Sequence, residues 1–155
     1  MVAACVTGGP AALEAAAERI EQARLARLKA IIRRNLGSAT LGPRRLCQLG
    51  EVSRSQLYRL FTPLGGVARY IQAERLRQAR RAIADAADRR DIASIAESFG
   101  FYDASSFSRA FRREFGITPR DLRAAALAGH YGTLPGQAAV TGTKHAGFTE
   151  ILRRL

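Results

Sequence analysis

Ser55, Arg59 and Thr62 are matched fifty positions later by Ser105, Arg109 and Arg112. Within each set the spacing is i, i+4, i+7, which on an α-helix stacks three side chains on one face. Hydroxyls and guanidinium groups so arranged can hydrogen-bond and pair charge with a partner, but they supply neither a base-activated nucleophile nor paired carboxylates for proton transfer. Elsewhere, residues that could do chemistry stand alone. His130 and His145 lie in a Gly- and Thr-rich stretch with no pair of Cys or carboxylates at ligand spacing. Cys47 has no His near it in sequence to draw off its proton. Gly8 and Gly9 precede no strand, and Gly65 and Gly66 separate helical stretches, so neither pair forms a phosphate loop. The expectation is a binding protein, with no catalytic residue, no metal and no cofactor.

The formal net charge is +12, the electrostatic footprint of a partner that carries phosphates or of an anionic membrane surface. Of the 25 basic residues only Lys29 and Lys144 are lysines. Arginine suits bidentate contacts to phosphate and guanine, while GC-rich codons would enrich it equally well. No run approaches the ~20 apolar residues of a spanning helix, and the N-terminus lacks the basic start and apolar stretch of a signal peptide. Cys5 and Cys47 are too few and too far apart for a disulfide framework, which fits a reducing compartment. The expected location is the cytoplasm, without membrane association.

The recurring triads need helices to carry them. After a disordered lead over 1–12, the stretch 13–36 reads as one long helix with Ile20, Leu25, Leu28, Ile31, Ile32 and Leu36 as its apolar stripe, stopped by Gly37. Pro43 opens a short helix over 43–49, and Ser53 caps another over 54–62. Past Gly65 and Gly66, the stretch from Val67 to about Ala87 has neither Gly nor Pro and reads as a long linker helix. Shorter helices follow over 92–98 and 104–115, the second capped by Asp103, and a last one opens at Pro119. The domain pattern is thus 13–65, 66–90 and 91–128, with a flexible tail over 129–155 that holds a short amphipathic candidate over 148–155. The fold class is all-α, with two tandem helix-turn-helix subdomains joined by a long linker helix, about seven helices in all.

The stretch 53–61 aligns with 103–111 at its cap, its apolar positions and one Arg, and the match continues at Gly66 with Gly116 and Val67 with Ile117. Helical period turns Leu57, Leu60 and Phe61 inward in the first copy and Phe107, Ala110 and Phe111 in the second. Ser55, Arg59 and Thr62, then Ser105, Arg109 and Arg112 flanked by Ser106, Ser108 and Arg113, point outward. A small, polar and basic face is the composition that a helix in the DNA major groove requires. A linker of about twenty residues spans about 30 Å, close to the 34 Å of one DNA turn. A single chain then suffices for an asymmetric site of about two turns. The alternatives are a basic helical protein that coats nucleic acid or anionic surfaces without reading sequence, and an adaptor whose first helix pairs with another protein.

The run Ile92-Ala93-Ser94-Ile95-Ala96-Glu97-Ser98-Phe99-Gly100-Phe101, followed by Ser106 to Phe111 and by Phe115-Gly116-Ile117-Thr118-Pro119, resembles the DNA-binding domain of the AraC/XylS family of transcription activators. The resemblance covers about 41–123 and takes in Arg54 to Phe61 and, on the linker, Arg75-Leu76 and Ala79-Arg80. It implies seven helices, with recognition helices over 54–62 and 104–115. Ser55, Tyr58 and Arg59 would contact DNA from the first, and Ser105, Ser106, Ser108 and Arg109 from the second. With the outward face added, the candidate DNA-contact set is Arg54, Ser55, Tyr58, Arg59, Thr62, Ser105, Ser106, Ser108, Arg109, Arg112 and Arg113. Two departures stand out. Gly50-Glu51 replaces an apolar residue followed by Gly, which shifts the first turn by one residue, and Cys47 fills a small-residue position. The implied partners are double-stranded DNA and RNA polymerase, with this chain a monomer or weak dimer. Many members of that family carry an N-terminal ligand-binding or dimerisation domain, so this chain is either a stand-alone regulator or the DNA-binding part of a longer one.

Overall fold

Helix ends are placed by local chemistry at most boundaries. The computed structural model describes residues 9–129; the 148–155 candidate, Cys5, His130 and His145 lie outside them. The helices are α1 (Pro10–Arg34), α2 (Pro43–Gly50), α3 (Arg54–Phe61), α4 (Val67–Ala84), α5 (Ile92–Ser98), α6 (Ala104–Phe115) and α7 (Pro119–Leu127), with a 3-10 turn at Thr62–Leu64 after α3. No strand occurs among the described residues. Pro10, Pro43 and Pro119 each sit in the first turn of a helix, where the missing N–H has no partner to lose. Pro10 therefore starts α1 ahead of the expected Leu13, and 10–12 belong to the helix rather than to a lead.

Two apolar clusters form the core. Leu28 and Ile32 of α1, Leu46 of α2, and Leu57 and Phe61 of α3 are buried in the first. Ile95 of α5, Phe107 and Phe111 of α6 and Leu122 of α7 are buried in the second. Helix α4 serves both: Val67 and Ile71 enter the first cluster, and Leu76, Ala79 and Ile83 the second. Phe99 packs against both clusters at the point where they meet.

The expected stripe on α1 is only partly used. Leu25 and Ile31 pack at the edge of the first cluster, but Ile20 is 53% exposed and Leu13 68%. The Ala-rich start of α1 keeps the chain helical for some three turns beyond the last residue that has anything to pack on. At the other end of the fold, α4 stops at Ala84, short of the expected Ala87, and Arg123 of α7 takes up the carbonyls it leaves open. The Arg123 guanidinium donates to the carbonyls of Ile83 (3.1 Å) and Asp85 (3.0 Å), and across the following loop to those of Arg90 (2.7 Å) and Asp88. Asp85 itself accepts the Ala87 amide at 2.9 Å, closing a tight turn.

The two turns differ as the shifted Gly50 implies. A Cβ on Gly50 would lie 2.4 Å from Leu28 Cδ2, so this glycine lets α1 close onto α2. The left-handed residue then falls one later, on Glu51 (φ 54°), two residues before the Ser53 cap. In the second unit the left-handed residue is Gly100 (φ 80°), three before Asp103.

Phe111 is fully buried, with ring centroids 5.5 Å from Phe107 and 4.7 Å from Phe115. Phe111→Ala should lower unfolding free energy by about 3–5 kcal/mol in urea melts, because the second cluster is too small to close over the void. A variant melting like the parent would show that α6 does not bury this face.

Candidate nucleic-acid interface

Each of the outward faces rests on a capped helix. At α3 the Gln56 amide donates to Ser53 Oγ (3.2 Å) while the Ser53 amide donates to Gln56 Oε1 (3.1 Å), a reciprocal box that fixes where the helix begins. At α6 the Asp103 carboxylate accepts the amides of Ser105 (3.3 Å) and Ser106 (2.8 Å). Beneath α3 lie Leu57, Leu60 and Phe61, and beneath α6 lie Phe107, Ala110 and Phe111, all buried. The starting residue and the packed underside together set which side chains look out.

All eleven residues of the candidate set are exposed: Arg54, Ser55, Tyr58, Arg59 and Thr62 on or just after α3, and Ser105, Ser106, Ser108, Arg109, Arg112 and Arg113 on α6. They form two groups, one per unit. Thr62 donates its hydroxyl to the Tyr58 carbonyl at 2.8 Å, leaving it lone pairs to offer outward. Arg109 reaches Ser106 Oγ at 3.4 Å, a loose contact that leaves most of its donors free. Five of the eleven are arginines and none is acidic. Both faces thus present hydrogen-bonding groups and positive charge to solvent.

One contact bears on these faces without any local sign in the sequence. Glu21 of α1 forms an ion pair with Arg59 of α3, both side chains being substantially exposed. The pair joins residues 38 apart, and only the docking of α1 across α3 brings them together. Arg44 and Arg45, exposed in the first turn of α2, add cations on the helix that in this motif crosses the nucleic-acid backbone. Runs of Arg are an available signal for these two; for Glu21 there is none.

Not every arginine faces outward. Arg75 and Arg123 spend their donors on main-chain carbonyls, and the Arg80 guanidinium lies 4.9 Å over the Phe115 ring. Burial pulls the Arg75 pKa below its ordinary value. Tyr70, half-buried on α4, donates to Glu74 at 3.1 Å, and its pKa is pushed up to about 12 by burial first and then by the Glu74 carboxylate. Cys47 is half-buried and not disulfide-bonded. Among the described residues, no three of His, Cys, Asp and Glu gather as a metal-ligand set, and no helix is long and apolar enough to cross a membrane.

The model of a family described as a helix-turn-helix domain matches residues 46–125. A transcriptional regulator of Chromobacterium violaceum, of the AraC-type DNA-binding domain-containing proteins, has a solved structure that superposes with a TM-score of 0.62 at 32% identity, covering 68% of this chain and 93% of that one. The transcriptional activator RhrA of Rhizobium meliloti (strain 1021) is 29% identical over 106 residues, taking in 68% of this chain and 34% of RhrA. The HTH-type transcriptional activator RhaR of Yersinia pseudotuberculosis (serotype O:1b, strain IP 31758) is 40% identical over 76 residues, 49% of this chain and 25% of RhaR. The chain thus spans about a third or less of the length of these two curated relatives.

The caps of the two units respond differently to acid. Hydrogen bonds from Ser106, through side chain and backbone, hold the Asp103 carboxyl below the usual range, as those from Ser94 do for Asp91 at the start of α5. Asp88, bound by Arg90 in the preceding loop, is lowered to about 2. A folded-state pKa below the unfolded one means that stabilisation is complete above the ordinary carboxylate range, near 4, and is lost as pH falls through the folded value. The first recognition helix is capped by Ser53, which does not titrate. Lowering the pH from 5 to 2 should therefore shift the NMR amide signals of Ser94, Ser105 and Ser106 while that of Gln56 stays in place. Simultaneous movement of all four would refute the assignment of acid sensitivity to the second unit.

Proposed function

Because the chain belongs to the AraC-type helix-turn-helix family, we propose that it is a transcription regulator that reads double-stranded DNA by sequence, laying α3 and α6 into two successive segments of the major groove. The observation that carries this reading is the repetition, fifty residues apart, of one exposed face on two capped helices: Ser55, Arg59 and Thr62, then Ser105, Arg109 and Arg112. A protein that only coats polyanions needs the charge but has no use for two matched, rigidly seated reading faces. Arginine on such a face offers paired donors to guanine O6 and N7, and serine bonds to base edges or phosphate. With α4 at 18 residues the arm between the units is about 27 Å long, within reach of one turn of DNA. One chain engages one asymmetric site. It works in the cytoplasm as a binder and not an enzyme, and RNA polymerase is the further partner that control of transcription requires.

The deciding experiment is selection of bound duplexes from a random pool at near-physiological salt. The reading expects a motif with two half-elements about one helical turn apart. Recovery of unenriched sequence, with binding that weakens steeply in salt, would instead establish a non-specific coat.

Arg109→Ala should weaken binding to the selected site by about 1–3 kcal/mol and broaden the preference at one or two base pairs; an unchanged profile would remove Arg109 from the interface. Glu21→Gln should act in the opposite sense. Freeing the Arg59 cation and removing a nearby negative charge should raise affinity about two- to fivefold and steepen the slope of log affinity against log salt by about 0.9. A variant with the parental slope would place Arg59 away from the phosphates.

A further inference from the structure

Helix α4 is buried in both units and so fixes their gross rotation, while rocking by a few ångströms is limited by a tie between the units side to side. Arg75, halfway along α4, is that tie. Its Nε donates to the Leu36 carbonyl at 3.0 Å and a terminal nitrogen donates to the Ser38 carbonyl at 2.8 Å, both in the loop that follows α1 in the first unit. The other side of the same guanidinium meets the turn of the second unit: a Cβ on Gly100 would lie 2.9 Å from its central carbon. Next to it the two main chains come close together, since a Cβ on Gly37 would lie 2.6 Å from the Ser98 carbonyl oxygen. Alongside, the surfaces part into a groove of about 300 Å³ lined by residues of both units, among them Leu41, Gly42 and Phe101. Arg75 is the polar centre of this lateral contact, beside Phe99, which packs against both clusters.

We propose that Arg75 is the positioning residue that sets the angle between the two reading heads, and through it the number of base pairs between the two DNA half-elements. The inference rests on the DNA-reading function proposed above. One base pair is about 3.4 Å of rise and about 34° of turn, so a hinge that lets the heads rock by a few ångströms changes which spacing they accept. A planar fork can bond two carbonyls in its plane and still present a flat face to Gly100; a lysine ammonium can serve one carbonyl but not the whole arrangement.

The test uses the full chain and duplexes carrying the wild-type half-elements at the selected spacing and at one base pair less and one more. The wild type should lose about tenfold or more in affinity at either altered spacing. Arg75→Met should bind the best spacing less tightly and the three spacings within about threefold of one another, with the bases preferred in each half-element unchanged; Arg75→Lys should fall between. A uniform loss over all spacings, or a spacing profile as sharp as that of the wild type, would overturn the proposal and leave Arg75 a stabilising residue only. Should Arg75→Met show no cooperative melt, the profile of Arg75→Lys decides by the same criterion. Failure of the wild type to select any two-part motif would overturn the DNA-reading function together with this inference, whereas sharp spacing in wild type and variants alike overturns this inference alone.

Discussion

Everything in this fold depends on one helix being buried twice. Helix-turn-helix units of this size are too small to enclose a core of their own, and here each completes its core by borrowing one end of α4. Val67 and Ile71 close the first cluster, and Leu76, Ala79 and Ile83 close the second. Apolar burial has no direction, yet a helix that carries two apolar patches at fixed angular positions turns it into a geometric instruction. Neither unit can rotate on α4 without exposing the residues that hold it. The caps at Ser53 and Asp103 then add the start point of each outer helix, and the outward faces follow from these two facts.

The arginine content divides into two chemical uses. On α3 and α6 the guanidinium groups stand in solvent, with most of their donors free for a partner. Arg75 and Arg123 are turned inward: Arg75 bonds to carbonyls of the loop after α1, and Arg123 to carbonyls that the end of α4 would otherwise leave open. Helix C-termini lack donors of their own, and an arginine from a distant helix supplies several at once while adding positive charge where the helix dipole favours it. A net positive charge is thus an imperfect measure of an interface: part of it is holding the chain in shape.

Local chemistry made much of this legible in the sequence. Pro119, Asp103, Gly116 and Ser53 act on their immediate neighbours, and the helices they delimit begin or end where those residues say. The exposed faces were legible too, since period and burial agree at Leu57, Leu60, Phe61, Phe107, Ala110 and Phe111. What escaped depends on contacts between residues far apart in the chain. Ile20 continues an apolar period past the edge of the body it would pack on, and nothing in α1 marks where that body stops. The carbonyls left open at the end of α4 are taken by Arg123, and Arg59 is paired by Glu21, each dozens of residues away. The left-handed turn at Glu51 was signalled only as an oddity, Gly50 standing one place early; the reason, the need of Leu28 for room, belongs to another helix.

The double burial of α4 also bears on how such a protein can change by descent. An α-helix advances about 100° per residue, so gain or loss of one residue between Ile71 and Leu76 would not stretch the arm but swing one apolar patch away from its unit. The loops over 35–42 and 85–91 carry no such helical phase, though each is pinned by an arginine from another helix, Arg75 at Leu36 and Ser38 and Arg123 at Asp88 and Arg90. Length within α4 is therefore inherited all or nothing, and the relative bearing of the two units can drift only through side-chain replacement, never through insertion.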